Sequence, residues 1–434
     1  MKGTFHIFNF GCKVNQEEGA ALAALFLSKG WQQGETEEAD LFIVNTCTVT
    51  AMADKKSRNL IRRLRKEHPN SILAVCGCYA QRAPEEILAL QADIVAGVDE
   101  RVHLPELVDA FRQEQPLLQV GDVSKAQVFQ QIAKESQQAR ARAYLKIEDG
   151  CDQFCHYCII PYVRGPVRSL PFTEAVQEAE KLVAAGHKEI VLTGIHIGAY
   201  GQDFGEKDLL PRLIHALCQM PDLVRLRLGS VEPLQFSEAL IEALQEKKVC
   251  RHLHIPLQAG CDRTLAAMGR NYDTETYRRL VKELREKLGD LALSSDVMVG
   301  YPGESPADFA QSLAFCQEIG FASLHVFPYS RRQGTPAATA PGQISQRVKA
   351  ERAAALALAG EEMQKAYLQR QLGQTMQVIV EEEEIIDGVC YQKGHSDEYV
   401  MVYLPEQLPA GSVVEAKALS LLAEGIKGER WGKK

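Results

Sequence analysis

Over the first hundred positions, short apolar runs alternate with stretches of helical spacing. Strands are predicted at Phe5 to Phe10, Leu41 to Asn45, Ile72 to Cys76 and Ile94 to Val98, with helices near Gln16 to Ser28, near Asp54 to Glu67 and after Pro84. Alternating strands and helices are typical of a parallel sheet covered by helices. Residues 1–115 are therefore predicted to form a parallel α/β domain.

A second alternating series follows a glutamine-rich segment, Gln113 to Gln138, which is predicted to connect domains. Its predicted strands are Tyr144 to Glu148, Ile190 to Ile197, Val224 to Leu228, His252 to Leu257, Ser294 to Val299 and Ser323 to Pro328. Its predicted helices lie near Thr173 to Ala185, Leu209 to Gln219, Ser237 to Gln245, Thr274 to Leu288 and Pro306 to Ile319. Residues 137–367 thus predict a partial (βα)6 barrel, with functional residues at the carboxyl ends of its strands.

The pattern changes again towards the C-terminus. A long helix, about Ser345 to Leu372, is followed by strand-like runs at Met376 to Val380, Tyr399 to Leu404 and Val413 to Ala418, separated by glycine and proline. Residues 370–434 are predicted to form a small β-barrel. The overall fold class is therefore α/β with a C-terminal β-barrel.

Composition narrows the class of protein. The chain has 434 residues, of which 46% are hydrophobic and 24% charged, so it is neither disordered overall nor a disulfide scaffold. No apolar stretch approaches the roughly 20 residues of a membrane span, and no signal sequence is evident. We therefore expect a cytoplasmic protein without membrane contact, whose 12 cysteines serve as ligands, catalytic groups or packing residues. The net charge of −8 gives no support to a nucleic-acid partner, although it does not register local patches.

The densest cysteine motif is Cys151, Cys155 and Cys158, directly after the first strand of the second series. Three thiolates within eight residues can surround one compact metal centre. A structural zinc ion needs a fourth ligand, and only His156 is adjacent, whereas an iron-sulfur cubane held by three cysteines keeps one iron open. Structural zinc and unrelated cysteines remain alternatives at this point.

A second set is Cys12, Cys47 and Cys78, which are 35 and 31 positions apart. Each comes just after a predicted strand, and parallel strands end at the same edge of a sheet. We expect the three to converge, with coincidental buried cysteines as the alternative. Cys76 lies within a strand and is predicted to pack, as are Cys218, Cys250, Cys261, Cys316 and Cys390.

The loop with Cys151, Cys155 and Cys158 resembles the CxxxCxxC loop of the radical SAM superfamily. This resemblance implies a 4Fe-4S cluster whose open iron binds S-adenosylmethionine, and a radical formed by one-electron cleavage. It also places Tyr157 near the adenine of the cofactor, although an ordinary core tyrosine would look the same in sequence.

Nearly the whole chain resembles the methylthiotransferases, through the segments GCKVNQ, VNTCTVT and VCGCYAQ, the CxxxCxxC loop and a TRAM-like tail. The resemblance implies that Cys12, Cys47 and Cys78 hold a second 4Fe-4S cluster. Within the family, Lys13-Val14-Asn15-Gln16 and Thr48-Val49-Thr50 are most similar to the branch that acts on N6-threonylcarbamoyladenosine. The implied reaction adds a methylthio group to carbon 2 of that adenosine, at position 37 of the tRNA anticodon stem-loop. It implies two further partners, an electron donor such as flavodoxin or ferredoxin and a sulfur source.

Residues at the ends of the barrel strands are candidates for cofactor binding. Gly194 permits close approach of the backbone to a ligand, and Glu232 or Gln258 could meet its polar groups. Packing or loop roles remain alternatives for each, and His196 and His254 are predicted to be structural. The sequence assigns no catalytic acid or base.

A basic run follows Cys47. It comprises Lys55, Lys56, Arg58, Arg62, Arg63, Arg65 and Lys66, with Leu60, Ile61 and Leu64 facing the sheet. We predict phosphate contact by Lys55, Lys56, Arg58, Arg62 and Arg63, with a solvated helix face as the alternative.

The tail contains an acidic run, Glu381 to Glu384, which predicts repulsion of phosphate near an acidic turn. The segment Gly394 to Tyr399 also departs from the usual TRAM pattern. Lys427, Arg430, Lys433 and Lys434 are the predicted compensating charges.

Three other functions remain open from sequence. The first two are methylthiolation of a different tRNA adenosine and of a ribosomal protein aspartate. The third is RNA binding without catalysis, with zinc in one or both cysteine sets.

Overall fold

A computed structural model of the chain describes residues 2–35, 39–111, 115–131 and 141–432. The chain divides into two compact units. The first comprises Met1–Gln137, Glu148–Leu170 and Ser330–Thr339, and the second comprises Gln138–Ile147, Pro171–Tyr329 and Ala340–Lys434. All six cysteines of the two predicted triads lie in the first unit.

The strands, numbered in chain order, are β1 Thr4–Asn9, β2 Gln32–Gln33, β3 Leu41–Thr46, β4 Ile72–Gly77, β5 Ile94–Ala96, β6 Leu117–Gln119, β7 Arg142–Lys146, β8 Glu148–Asp149, β9 Arg168–Ser169, β10 Glu189–Thr193, β11 Arg225–Leu228, β12 His252–His254, β13 Ala292–Val299, β14 Ser323–Pro328, β15 Thr375–Ile386, β16 Val389–Ser396, β17 Met401–Leu404, β18 Val413–Leu422 and β19 Gly425–Arg430.

The α-helices are α1 Lys13–Ser28, α2 Ala51–Glu67, α3 Cys78–Arg82, α4 Pro84–Leu88, α5 Leu104–Ala110, α6 Ile160–Arg164, α7 Phe172–Ala184, α8 Leu209–Cys218, α9 Glu238–Ala243, α10 Asp262–Ala267, α11 Thr274–Leu288, α12 Pro306–Ile319, α13 Pro336–Thr339 and α14 Gln346–Gln371. Short 3-10 turns lie at Glu100–His103, Val123–Lys125, Ile197–Ala199, Gln202–Phe204 and Pro233–Gln235.

The first unit contains a parallel sheet in the order β2-β1-β3-β4-β5-β6. Its central strands are buried because successive side chains enter cores on opposite faces. Phe42 and Val44 of β3 join one apolar cluster, whereas Leu41 and Ile43 join another. The predicted parallel α/β domain is confirmed, with helices supplying both cores.

The segment predicted to connect the domains is partly structured. Leu117 of β6 pairs with Ile94 of β5, so β6 forms an edge of the first sheet. The remainder of Gln113 to Gln138 includes residues 113–114 and 132–138, which lie outside the described residues. The domain limits 1–115, 137–367 and 370–434 stay predictions.

The second unit contains the six predicted barrel strands. They form two parallel groups, β7-β10-β11 and β12-β13-β14, and bridges such as Ser230 to His254 join the groups. Helices α7, α8, α9, α11 and α12 alternate with these strands. Local caps set several helix starts: Ser237 accepts from Leu240 N at 3.2 Å, and Ser305 and Asp308 form a capping box. The partial (βα)6 barrel is confirmed.

The C-terminal strands close a barrel in the order β15-β16-β17-β19-β18, which confirms the predicted small β-barrel. The prediction of an acidic turn was wrong. Glu381 to Glu384 lie within β15, and the turn comes after them at Asp387 and Gly388, where both residues have positive φ. Strands β16 and β19 were also missed, since their small and charged residues obscure the alternating pattern.

A buried ionic cluster ties this barrel to the strands of the second unit. Glu189 is completely buried and lies 3.0 Å from Arg142 Nε, 2.5 Å from Arg225 Nε and 2.8 Å from Arg227 Nε. Burial favours protonation of Glu189, but the three guanidinium groups override it and hold the pKa of this carboxyl well below its usual range. Arg225 also donates to the carbonyl oxygen of His395 at 2.8 Å.

Among the described residues, no helix combines the length and apolarity needed to cross a bilayer.

We expect Glu189→Gln to destabilise the protein by about 3–5 kcal/mol, because three buried guanidinium groups would lose their shared counter-charge. Urea unfolding followed by circular dichroism measures the loss. Glu178→Gln, which removes the partner of the exposed Lys181, is the matched control and should change stability far less. Equal effects of the two substitutions would contradict this account of the cluster.

Candidate functional site

The first cysteine set follows three neighbouring strands of the parallel sheet. Thr46 and Gly77, the last residues of β3 and β4, are register partners. Cys47 and Cys78 come next in each chain segment, and Cys12 caps the start of α1 after β1. The structure therefore places the three predicted cysteines at one edge of the sheet.

The loop with Cys12 passes directly over the thiol of Cys47. Gly11 has φ +96°, and a Cβ added there would lie 2.6 Å from Cys47 Sγ, so this approach requires glycine. Burial raises the pKa of Cys47 to about 12, and the neighbouring Cys78 and Cys12 thiols add to the shift. Three ionised thiols at this edge would need a cationic centre to offset their repulsion.

Two asparagines hold these loops in place. Asn15 Nδ2 donates to the carbonyl oxygens of Phe10 and Thr46, at 2.8 and 2.9 Å. Asn45 Nδ2 donates to the Asn15 carbonyl oxygen at 2.8 Å. Both side chains are buried at the sheet edge. Both lie in the cysteine segments GCKVNQ and VNTCTVT, but the sequence showed no role for them, because the bonds that link one segment to the other span about 30 positions.

The second cysteine set lies on a loop closed at its base. Strands β8 and β9 pair there, and the Cys151 N–H donates to the Gly165 carbonyl oxygen at 3.0 Å. Gly165 has φ +72°, and a Cβ added there would lie 2.1 Å from the Val123 carbonyl oxygen. Cys155 is buried and Cys158 is half-buried, and burial raises the pKa of Cys151. The three cysteines therefore line one compact, partly exposed loop.

The spacing of the sulfurs tests which metal centre fits. A zinc ion with Zn–S bonds of about 2.3 Å would hold its sulfurs roughly 3.8 Å apart. Within the described ranges, only His254, Asp296 and His325 bring three ligand atoms within 4.8 Å of one another, so neither cysteine triad is a preformed site for a single ion. A cluster offers each thiolate its own iron and accepts wider spacing. Both triads fit that kind of centre better than zinc.

Exposed aromatic rings accompany the second cysteine loop. Phe154 lies within the loop, and its ring meets Tyr162 edge-on with centroids 5.6 Å apart. Both side chains are about half exposed, whereas Tyr157 is half-buried. Of these aromatic residues, the sequence had pointed to Tyr157 alone. The signal for Phe154 was its position between two predicted ligands.

The predicted cofactor residues Gly194, Glu232 and Gln258 lie in the second unit, at or just beyond strand ends. Glu232 is bonded to Arg270, and burial raises the pKa of its carboxyl despite that arginine. Gln258 has φ +65°, and its buried Oε1 has no hydrogen-bond partner among the described residues. Gln258 thus has an unused acceptor, whereas Glu232 is already paired.

Three side chains of β12, β13 and β14 form a cluster that the sequence did not reveal. Asp296 carboxylate oxygens lie 3.3 Å from His254 Nε2 and 3.2 Å from His325 Nδ1. Burial alone would raise the pKa of Asp296, but the two imidazoles lower it well below its usual range. Ser294 Oγ lies 3.0 Å from His254 Nδ1. The prediction that His254 is structural stays a prediction: its ring nitrogens lie near Asp296 and Ser294, and the ligand atoms of His254, Asp296 and His325 lie within 4.8 Å of one another.

Helix α2 presents the predicted basic face. Thr50 caps the helix, and Leu60, Ile61 and Leu64 enter the core. Lys55, Lys56, Arg62 and Arg63 are exposed. Arg58 is half-buried and donates to Tyr79 Oη at 3.1 Å, so it also serves to hold the domain together.

The acidic run of β15 is hydrogen-bonded and partly neutralised by its neighbours. The partners are Arg142 and His395 for Glu381, Lys393 for Glu382 and Glu384, and Gln392 for Glu383. Of the predicted compensating cations, Lys427 is half-buried and Arg430 exposed, and Lys433 and Lys434 lie outside the described residues. The expected repulsion of phosphate is therefore weakened by local pairing.

Comparison with known proteins identifies two families. Residues 4–97 match the Uncharacterized protein family UPF0004, and residues 145–316 match the Radical SAM superfamily. The threonylcarbamoyladenosine tRNA methylthiotransferase MtaB of Bacillus subtilis is 38% identical over 96% of this chain and 93% of the relative. The MtaB protein of Thermotoga maritima is 34% identical over 98% of this chain and 96% of the relative.

Solved structures agree on the fold. The radical S-adenosylmethionine methyltransferase TsrM of Kitasatospora setae, with tryptophan and a SAM analogue bound, matches with a TM-score of 0.57 at 14% identity. The match covers 77% of this chain and 74% of TsrM. At that identity the match shows the fold alone, whereas the relatives that match over nearly their full length also show the family. The chain belongs to the radical SAM methylthiotransferase family.

Proposed function

We propose that the protein is a transferase that converts N6-threonylcarbamoyladenosine at position 37 of tRNA into its 2-methylthio derivative. The observation that carries the proposal is the presence of two cysteine triads in one compact unit, neither of which is preassembled around a single ion. The MtaB proteins of B. subtilis and T. maritima, which are similar over nearly their whole length, are named for this reaction.

Each triad would hold one 4Fe-4S cluster. Cys151, Cys155 and Cys158 would leave one iron open for S-adenosylmethionine, and Cys12, Cys47 and Cys78 would hold the second cluster. When bound, these groups supply radical removal of the carbon-2 hydrogen and a methylated sulfur to replace it. Such chemistry suits this substrate, because no side-chain base readily removes a hydrogen from carbon 2 of an adenine ring.

The chain's own residues would bind and orient the reactants. Gln258 Oε1 would accept a hydrogen bond from the cofactor, and Gly194 would allow the backbone to approach it closely. Tyr157 would lie against its adenine. Glu232, held by Arg270 in an ion pair, would meet a polar group of the cofactor.

Contacts to tRNA are proposed for the first unit. Lys55, Lys56, Arg62 and Arg63 would contact phosphates, with the half-buried Arg58 supporting them. Phe154 and Tyr162 expose aromatic rings on which an unstacked base can lie. Both features come from the unit that carries the cysteines.

Two further partners follow from the chemistry. Reductive cleavage needs an electron from outside the protein, for which a flavodoxin or ferredoxin is proposed. Each turnover also removes a sulfur atom, so a sulfur source must restore it.

The alternatives share this machinery. Methylthiolation of another tRNA adenosine, or of a ribosomal protein aspartate, would use the same triads. The exposed cations of α2 favour RNA over a protein substrate. The absence, among the described residues, of a preassembled single-ion site at either cysteine triad gives no support to a zinc-stabilised RNA-binding protein.

Replacing Cys151, Cys155 and Cys158 together with alanine should remove half of the iron and all methylthio transfer. Replacing Cys12, Cys47 and Cys78 should remove the other half, yet leave reductive cleavage of S-adenosylmethionine. Iron analysis and visible absorption of anaerobically reconstituted protein measure the cluster content of both triple variants, and activity assays measure methylthio transfer and cleavage of S-adenosylmethionine. Cys390→Ala, at an isolated exposed cysteine, is the control. Loss of all iron from either triple variant, or zinc in its place, would contradict two independent clusters.

The double change Arg62→Glu and Arg63→Glu should weaken tRNA binding. It should also make the negative slope of log affinity against log salt shallower by about one to two, because two phosphate contacts are lost. Binding titrations at several salt concentrations measure both effects. Arg279→Glu with Lys282→Glu reverses two exposed cations on α11 and is the matched control for net charge. Equal weakening by both pairs would contradict a specific role for α2.

Mass spectrometry of nucleosides from total tRNA tests the substrate. In cells lacking the gene, 2-methylthio-N6-threonylcarbamoyladenosine should disappear and should return on complementation. 2-Methylthio-isopentenyladenosine should stay constant, which serves as the internal control. If the second nucleoside changes instead, the other tRNA adenosine is the substrate, and if neither changes, the ribosomal protein is the next candidate.

A further inference from the structure

Arg164 connects the two cysteine sets. It ends α6, just beyond the second cysteine loop, and is completely buried. Its Nε–H donates to Cys78 Sγ at 3.3 Å. Its terminal nitrogens donate to Glu18, Asp149 and Asn15 at 2.9–3.0 Å. Every nitrogen of the guanidinium group therefore has an acceptor, and one of those acceptors is a predicted cluster ligand.

The carboxylates fix the orientation of this guanidinium group. Glu18 accepts from both terminal nitrogens of Arg164, and it also accepts two bonds of 2.6 Å from Arg101. Asp149 lies at the base of the second cysteine loop. Because the guanidinium group is planar with donors in fixed directions, holding its terminal nitrogens also aims Nε at the sulfur.

We propose that Arg164 is a positioning residue for the cluster held by Cys12, Cys47 and Cys78, where it orients the Cys78 thiolate and raises the cluster's reduction potential. The inference rests on the proposed function for the ligand role of Cys78. Hydrogen bonds to ligand sulfurs and nearby charge set the potentials of iron-sulfur clusters. Reduction adds one negative charge, which a cationic donor on the sulfur stabilises.

The experiment uses the full chain with Cys151, Cys155 and Cys158 replaced by alanine, so that only one cluster remains. Arg164→Gln and Arg164→Lys are introduced separately into this background. Arg101→Gln is the matched control, because it removes a buried guanidinium group from the same Glu18 without a bond to sulfur. Anaerobic redox titration followed by electron paramagnetic resonance gives the midpoint potential, and circular dichroism verifies folding.

We expect Arg164→Gln to make one-electron reduction roughly tenfold less favourable, a shift of about 59 mV to more negative potential. Arg164→Lys should shift it in the same direction, because lysine lacks the Nε–H donor, and Arg101→Gln should shift it much less. Folded Arg164 variants that lose the cluster, while Arg101→Gln keeps it, would also support the positioning role.

Two results would overturn the inference. One is an unchanged potential in both Arg164 variants, and the other is an equal shift in Arg101→Gln, which would indicate a general effect of buried charge. Absence of iron from the parent triple-alanine protein is a separate outcome. It would refute the ligand assignment of the proposed function before Arg164 is tested.

Discussion

The first cysteine set depends on one geometric constraint, which is that parallel strands end at the same edge of their sheet. Strands β1, β3 and β4 are neighbours, and β3 and β4 end in register at Thr46 and Gly77. A slip of one residue in either pairing would turn a side chain to the opposite face and separate the thiols. The apolar cores on both faces specify that register, so the packing of the sheet also sets the geometry of this cysteine set.

Each unit also contains a buried carboxylate, and in both units arginine side chains supply the opposite charge. Burying an ion is costly unless its partners satisfy it completely. Glu18 is matched by Arg101 and Arg164 in the first unit, and Glu189 by three arginines in the second. The two clusters do different things. The first aims a donor at a thiol, whereas the second attaches the C-terminal barrel to the strands of its own unit.

Local pairing, and not net charge, decides which surfaces suit a nucleic acid. The chain carries a net charge of −8, yet α2 exposes a group of cations. Along the same helix, Arg65 is bonded to Asp93 and Arg58 to Tyr79, so these two are less available than their exposed neighbours. In β15 the reverse applies, since Lys393 and Arg142 partly neutralise an acidic run.

The sequence by itself determined the fold class, the order of the main strands and helices of the first two domains and the positions of the two cysteine triads, because periodicity and strand-end position are local properties of the chain. It did not reveal Asn15 or Arg164 as parts of the site. Arg164 meets Cys78 across 86 positions and Asn15 across 149, and no local pattern records such a contact. The same holds for the charges of β15. The acidic run is visible in the sequence, but its pairing with Arg142 and Lys393 depends on strands that meet only after folding. Only the tertiary structure decided those contacts, because hydrogen-bond partners are selected by distance in space and not by separation along the chain.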